Sequence, residues 1–192
     1  MTERPPHNNT ASKAVSEKEL AERLRRRDSE AMRLFYERYA GFLTAVGSRY
    51  VPERDQLKDV LQDALLQIFN AADKFEYRGE GSLKAWACRI TVNRALKFLR
   101  AQGRLRFVDE LPAVPEEEVR EMQQVPPAVL QDFIRELPDG YRTVFNLFVF
   151  EQKSHREIAA LLGIREDSSA SQYFRARAHL AKKINQYIKN HE

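Results

Sequence analysis

Ser154-His-Arg-Glu-Ile-Ala-Ala-Leu-Leu-Gly-Ile164 decides the fold class. Ser154 with Glu157 is a capping box, in which each side chain satisfies the other residue's backbone N–H, and an apolar run follows at once. Gly163 then stops the helix, because a left-handed residue after the last turn is cheapest for glycine. Ile164 follows as an apolar plug, and Asp167, Ser168 or Ser169 can cap a second helix. Ala159, four residues before the glycine, is small where the second helix must cross closely. A short helix, a glycine turn and a second helix with a polar, basic outer face form the DNA-binding helix-turn-helix pattern. An ordinary helical hairpin is the competing reading. Against it stands the lack of any acid from Ser168 to His191, a stretch holding five basic residues.

On that second helix Tyr173, Ala176, Leu180, Ile184 and Tyr187 make an inward stripe. Ser168, Ser171, Gln172, Arg175 and His179 fall on the other side, where hydroxyls, an amide and a guanidinium suit base edges and phosphates in a major groove. Working toward the N-terminus, apolar residues recur at spacings of three and four, predicting helices near 128–137 and 140–150, and, in the first half, near 16–27, 29–48, 52–72 and 82–102. Ser82 is expected to cap the last of these, and Pro52 to occupy a first turn. No stretch alternates with period two. The expectation is an all-α chain of two small helical domains, 17–102 and 127–190, the second containing the helix-turn-helix. Residues 1–16 read as a disordered tail, and 103–126, with three prolines and Glu116-Glu117-Glu118, as a flexible linker.

The 192 residues carry 43% hydrophobic and 31% charged side chains, ordinary for a chain with packed cores. No apolar run approaches the ~20 residues needed to cross a bilayer, and the first residues lack a signal-peptide core. A single cysteine, Cys88, excludes a disulfide framework and a cysteine metal cage. His7, His155, His179 and His191 are too scattered to gather a metal, and seven glycines form no phosphate loop. No metal, cofactor or catalytic residue is expected, and the protein reads as cytoplasmic and not as an enzyme. Net charge is only +4, but it is unevenly placed. Lys84 to Phe107 holds seven basic residues and no acid, whereas residues 103–125 hold six acids against three bases. Two basic helices joined by an acidic segment suggest two contacts with a polyanion.

In the first domain Arg89, Asn93, Lys97, Arg100 and Arg104 follow one another at helical spacing and are expected to form one continuous basic stripe. The loop before it offers Tyr77 and Arg78, followed by Gly79 and Gly81. Aromatic rings beside a cationic track suit single-stranded nucleic acid, because bases stack on rings while phosphates meet cations. Trp86 fits a core position better than a stacking one, whereas Tyr77 has less core to enter.

These motifs together resemble bacterial RNA polymerase sigma factors of the extracytoplasmic-function type, over about residues 18–185. Asp59-Val-Leu-Gln-Asp-Ala-Leu-Leu-Gln-Ile-Phe69 is similar to the family's polymerase-binding segment. Tyr77-Arg-Gly-Glu-Gly-Ser-Leu-Lys-Ala-Trp-Ala-Cys-Arg-Ile-Thr-Val-Asn-Arg-Ala95 is similar to the loop and helix that melt and read the −10 element. Leu137-Pro-Asp-Gly-Tyr-Arg-Thr-Val-Phe145 with the helix-turn-helix is similar to the −35 reader. The resemblance implies −10 contacts from Tyr77, Arg78, Trp86, Arg89, Asn93, Lys97 and Arg100. It implies −35 contacts from Ser168, Ser171, Gln172, Phe174, Arg175, Arg177 and His179, and polymerase contacts from Asp59, Gln62 and Asp63. In the −35 helix Ala170 stands where a basic residue is common and Ser169 where valine is. Phe148 stands where arginine is common, and Lys97 where many members carry aspartate.

The implied partners are core RNA polymerase, promoter DNA and an anti-sigma or other regulatory protein, with no membrane insertion. The linker is expected to thread a polymerase channel. A stand-alone helix-turn-helix regulator binding duplex DNA as a dimer is the alternative, but it leaves the Tyr77–Arg104 track without a task.

Overall fold

The computed structural model describes residues 15–105 and 125–191. Residues 1–14 of the expected tail (1–16), residues 106–124 of the expected linker and Glu192 lie outside them. The described residues are helical, with no strand. The first bundle comprises α1 (Glu17–Arg25), α2 (Ser29–Ser48), α3 (Arg54–Asn70) and α4 (Ser82–Ala101), with a 3-10 turn at Ala72–Lys74. The second comprises α5 (Pro127–Arg135), α6 (Asp139–Val149), α7 (His155–Leu162) and α8 (Glu166–His191).

Local chemistry starts most of these helices. Ser16 caps α1, accepting from Glu19 N–H at 3.1 Å. Asp28 caps α2, accepting from Glu30 N–H at 2.9 Å and Ala31 N–H at 3.3 Å. Three starts differ from expectation. Pro52 precedes α3 rather than opening it, with Glu53 as the flanking residue. Helix α8 begins at Glu166, so Ser168 and Ser169 lie inside its first turn instead of capping it. The residue before α4 is Gly81, at φ +86°, and Ser82 turns its hydroxyl back to the loop instead. A left-handed backbone there suits glycine, which has no side chain to offer the helix as a cap.

The first core gathers Leu20, Phe35, Tyr39, Leu43, Ile68, Leu83 and Ala87 from all four helices. The second bundle closes α5, α6 and α8 around Ile134, Leu137, Ala176, Leu180 and Ile184. Between them runs a third apolar cluster that joins Val46, Tyr50, Leu96 and Leu99 to Val144, Leu147, Ile158 and Leu162. Polar contacts flank it. Asn146 Nδ2 donates to the Arg49 carbonyl at 2.7 Å, and Arg142 Nη2 to the Tyr50 carbonyl at 3.0 Å. The Arg49 guanidinium sits 4.3 Å over the Phe150 ring. Arg104 meets Asp139 at 2.5 Å, Glu53 at 2.9 Å and Gln56 at 2.8 Å. Arg142 is buried, donating also to the carbonyls of Arg135 and Leu137 and to Asp139.

Candidate nucleic-acid interface

The 3-10 turn, the loop after it and the first turns of α4 enclose a cavity of about 480 Å³. Lys74, Phe75, Arg78, Ser82, Trp86 and Arg89 line it, and its size lies in the range that holds small organic groups. Trp86 is half-buried and packs on Phe75 with ring centroids 5.1 Å apart. It is therefore both a core side chain and a wall of the cavity, where the sequence alone favoured the first. Ser82 ties the loop down, donating to the Gly79 carbonyl at 2.6 Å and accepting from Arg78 N–H at 3.2 Å. Tyr77 is half-buried against the first core. Partial burial, then the carboxylates of Glu80 and Glu17, raise its phenol above the ordinary range.

The expected basic stripe on α4 divides in two. Arg89, Asn93 and Lys97 are exposed. Arg100, though exposed, donates to the Leu161 carbonyl at the end of α7, and Arg104 turns wholly to Asp139, Glu53 and Gln56. The spacing of the stripe is right, but its last two members cross to the second bundle, because the carbonyl and carboxylate there complete their hydrogen bonds.

On α3 the polymerase candidates Asp59, Gln62 and Asp63 are all exposed. Asp59 and Asp63 share a smaller cavity, about 220 Å³, with Arg94 and Lys97 of α4. Basic groups of the same chain therefore already face these acids. Gln62 lines an apolar groove of about 450 Å³ between α2 and α3, with Tyr36, Leu61, Leu65, Leu66 and Phe69. Tyr36 and Leu66 are each 54% exposed, and Arg54 and Lys58 belong to the same groove.

In the helix-turn-helix, Ser154 N–H donates to Glu157 Oε2 at 2.8 Å and Glu157 N–H to Ser154 Oγ at 3.3 Å, completing the capping box. The Ser154 N–H and then the Ser154 hydroxyl, which also donates to Glu157 Oε2 at 2.8 Å, hold the Glu157 carboxyl below the usual range. Gly163 is left-handed at φ +71°. On α8, Ser171, Phe174, Arg177 and His179 are exposed and Arg175 is half-buried.

Two expected contacts are corrected. Ser168 and Gln172 are buried, Gln172 to 1% exposure, and face inward with Ser169 and Ala176. The expected inward stripe of Tyr173, Ala176, Leu180, Ile184 and Tyr187 packs inward, but the buried face is wider than that stripe, leaving Ala170, Ser171, Phe174, Arg177 and His179 as the outward arc. Gln172 Oε1 finds no hydrogen-bond partner among the described residues. Phe148 stacks on His155 at 4.7 Å and packs on Tyr173 at 4.4 Å, so the aromatic that departs from the family pattern fills a stack inside the second domain.

Two contributors escaped the sequence reading. Glu17 is 3% exposed, accepting from Tyr39 Oη at 3.0 Å and from Leu83 N–H at 2.9 Å. Its place in a first turn gave no sign of a partner 66 residues away. Arg142 stood in the Leu137–Phe145 motif with no role read for it. Its neighbours Pro138 and Asp139, which set the start of α6, were the available hint.

The family Sigma-70 region 2 matches residues 35–105, and the family Sigma-70, region 4 matches residues 128–180. The chain belongs to the sigma-70 family of RNA polymerase sigma factors. Both regions occur in order, one on each bundle. The chain is similar to the ECF RNA polymerase sigma-E factor of Escherichia coli K12, at 29% identity over 93% of this chain and 99% of the relative. The Salmonella typhimurium LT2 factor gives the same figures. The Haemophilus influenzae factor is 29% identical over 88% of this chain and 96% of its own. Among solved structures, CnrH in complex with the cytosolic domain of CnrY aligns at a TM-score of 0.48 and 22% identity, over 87% of this chain and 96% of that one. Sigma factors direct promoter-specific transcription initiation, and as a class they are not enzymes. No helix among the described residues is long and apolar enough to cross a membrane.

Proposed function

We propose that this sigma factor reads the −10 element with the cavity and exposed face of the first bundle, and the −35 element with the outward arc of α8. The observation that carries the division is the cavity bounded by Trp86, Phe75, Arg78 and Arg89. It is a concave site with an aromatic wall and a rim on which Lys74, Arg78 and Arg89 outnumber the one carboxylate, Glu76, suited to a base swung out of a stack. The arc of α8 is convex and suited to a groove. Tyr77, Asn93 and Lys97 extend the first site along the strand. Ser171, Phe174, Arg175, Arg177 and His179 make the second.

Asp59, Gln62 and Asp63, beside the apolar groove of α2 and α3, dock on core RNA polymerase. A regulatory protein of the anti-sigma kind holds the factor silent, and the factor acts in the cytoplasm with the polymerase. Arg100 joins the −10 contacts only when it releases Leu161.

Transcription in vitro by core polymerase on a genomic promoter library, with and without the chain, tests the reading. Start sites that appear only with the chain and share two elements at a fixed spacing support it. Duplex binding by a dimer that ignores core polymerase refutes it in favour of a stand-alone regulator.

A further inference from the structure

We propose that Glu17 is a positioning residue for the −10 site: from the first helix, it caps the helix that carries the reading side chains. This rests on assigning the Phe75–Arg89 cavity to the −10 strand.

Helix α4 lacks a cap of its own. A helix leaves its first N–H groups without intrahelical partners, and a side chain at the preceding residue normally serves one at the second or third position. Here the preceding residue is Gly81, whose φ of +86° bends the loop and which offers no side chain. Ser82 cannot serve either, because its hydroxyl is committed to Gly79 and Arg78. The second N–H of the helix, that of Leu83, is met by Glu17 Oε1 at 2.9 Å. An anion at a helix N-terminus is also favoured by the aligned peptide dipoles.

The carboxylate is itself fixed. Its other oxygen accepts from Tyr39 Oη at 3.0 Å, and Tyr39 is buried against Phe35 of the same helix. Burial and then this bond push the Tyr39 phenol up to about 12, so it remains a donor throughout the working pH range. Just before Glu17, Arg38 donates to the Val15 carbonyl at 2.5 Å. Helices α1 and α2 thus present one carboxylate, at a set position, to the start of α4. Trp86 and Arg89 ride on the first two turns of α4, whereas Lys74 and Phe75 come from the preceding turn. The gap between these two sets is the cavity. Losing the cap lets the first turn of α4 move relative to Phe75, and the base that enters is then less well discriminated.

The test uses the full chain assembled with core polymerase. Wild-type holoenzyme selects a preferred strand from a randomised single-stranded DNA pool. The affinity ratio of that strand over a shuffled strand of equal composition is then measured for variants. Glu17→Ala is expected to lower this ratio by roughly tenfold, the scale of a lost buried cap, while affinity for core polymerase is unchanged. Glu17→Gln keeps an acceptor for Leu83 N–H and should restore the ratio to within about threefold of wild type. A purely stabilising role would lower the melting temperature and leave the ratio alone. An intact ratio in a Glu17→Ala holoenzyme therefore overturns the proposal. If Glu17→Ala does not assemble, Glu17→Asp, whose carboxylate falls one methylene short, takes its place under the same criterion. A wild-type holoenzyme that selects no strand refutes the −10 reading, and the proposal with it.

Discussion

Replacing Asp139 with asparagine removes one negative charge from a site where two guanidiniums converge. The Asp139 side chain is 17% exposed, that of Arg142 4% and that of Arg104 24%. The two losses differ in size. Arg104 keeps Glu53 and Gln56 and stands nearer to water, so its lost bond costs about 1 kcal/mol. Arg142 keeps three carbonyl acceptors but no counter-charge. Breaking a fully buried pair costs about 3–5 kcal/mol, and the surviving acceptors reduce this to roughly 2 kcal/mol. The expected total is about 3 kcal/mol. In urea, at a slope near 2 kcal/mol per molar for a domain of this size, the transition midpoint should fall by about 1.5 M. The assay is far-UV circular dichroism of the full chain, with Arg104→Ala and the double variant completing a thermodynamic cycle. The coupling should be about 1 kcal/mol, because only the Arg104 share is common to both changes. A midpoint shift below about 0.3 M, or no coupling, would show that the carboxylate does not hold the two arginines and that the apolar cluster alone joins the bundles.

Asp59→Lys with Asp63→Lys should weaken binding to core polymerase by an order of magnitude or more while the helical signal stays unchanged; unaltered binding removes the docking assignment. Arg175→Ala should weaken polymerase-bound affinity for duplex promoter DNA by about tenfold, whereas Asn93→Ala should chiefly reduce permanganate reactivity of the opened strand, both measured at one salt concentration; equal losses at the same step would undo the two-module division. Glu151, half-buried beside Cys88 Sγ at 3.9 Å, has its carboxyl raised chiefly by burial. The folded state therefore holds its proton more tightly than the unfolded one, and its contribution to stability falls as pH rises from the ordinary carboxylate range through the raised value. Glu151→Gln should flatten that part of the stability–pH profile, and an unchanged profile would show that the group does not report burial.

The helix-turn-helix was legible because its signals are local. The Ser154–Glu157 box and Gly163 act within a few residues, and the structure places each where the sequence put it. The phase of α8 was legible, but the width of its buried face was not. Its first turn begins at Glu166, ahead of the serines that looked like caps, and Ser169 there meets His155 of α7 at 3.0 Å. Ser168 and Gln172 accordingly went from outward to buried. The spacing of the basic residues was correct, but Arg100 finds its partner on α7, and Arg104 finds its partners on α6 and at the start of α3. The cap supplied by Glu17 was hidden for the same reason. Periodicity shows which side of a helix is polar, and says nothing of a distant segment that arrives to use it. Trp86 lay between: its spacing suited a core, and only the packed structure shows it also bounding an opening.

The contact between the bundles carries a consequence for reach. Arg100, on the helix proposed to read the −10 element, donates to the carbonyl of Leu161 at the end of α7, within the helix-turn-helix. Promoter elements centred near −10 and −35 lie roughly 25 base pairs apart, or about 85 Å along a duplex at 3.4 Å per step. Helices that touch cannot occupy both elements. The 19 residues from 106 to 124 can span at most about 65 Å when drawn out, with the widths of the bundles adding the rest. Closed packing and two-element reading are thus mutually exclusive populations of one chain. The affinity of the free factor for a promoter is then its intrinsic affinity scaled by the fraction that is parted. Any surface that binds only the parted form acts as a ligand for that equilibrium, and would tighten promoter binding without touching a single base.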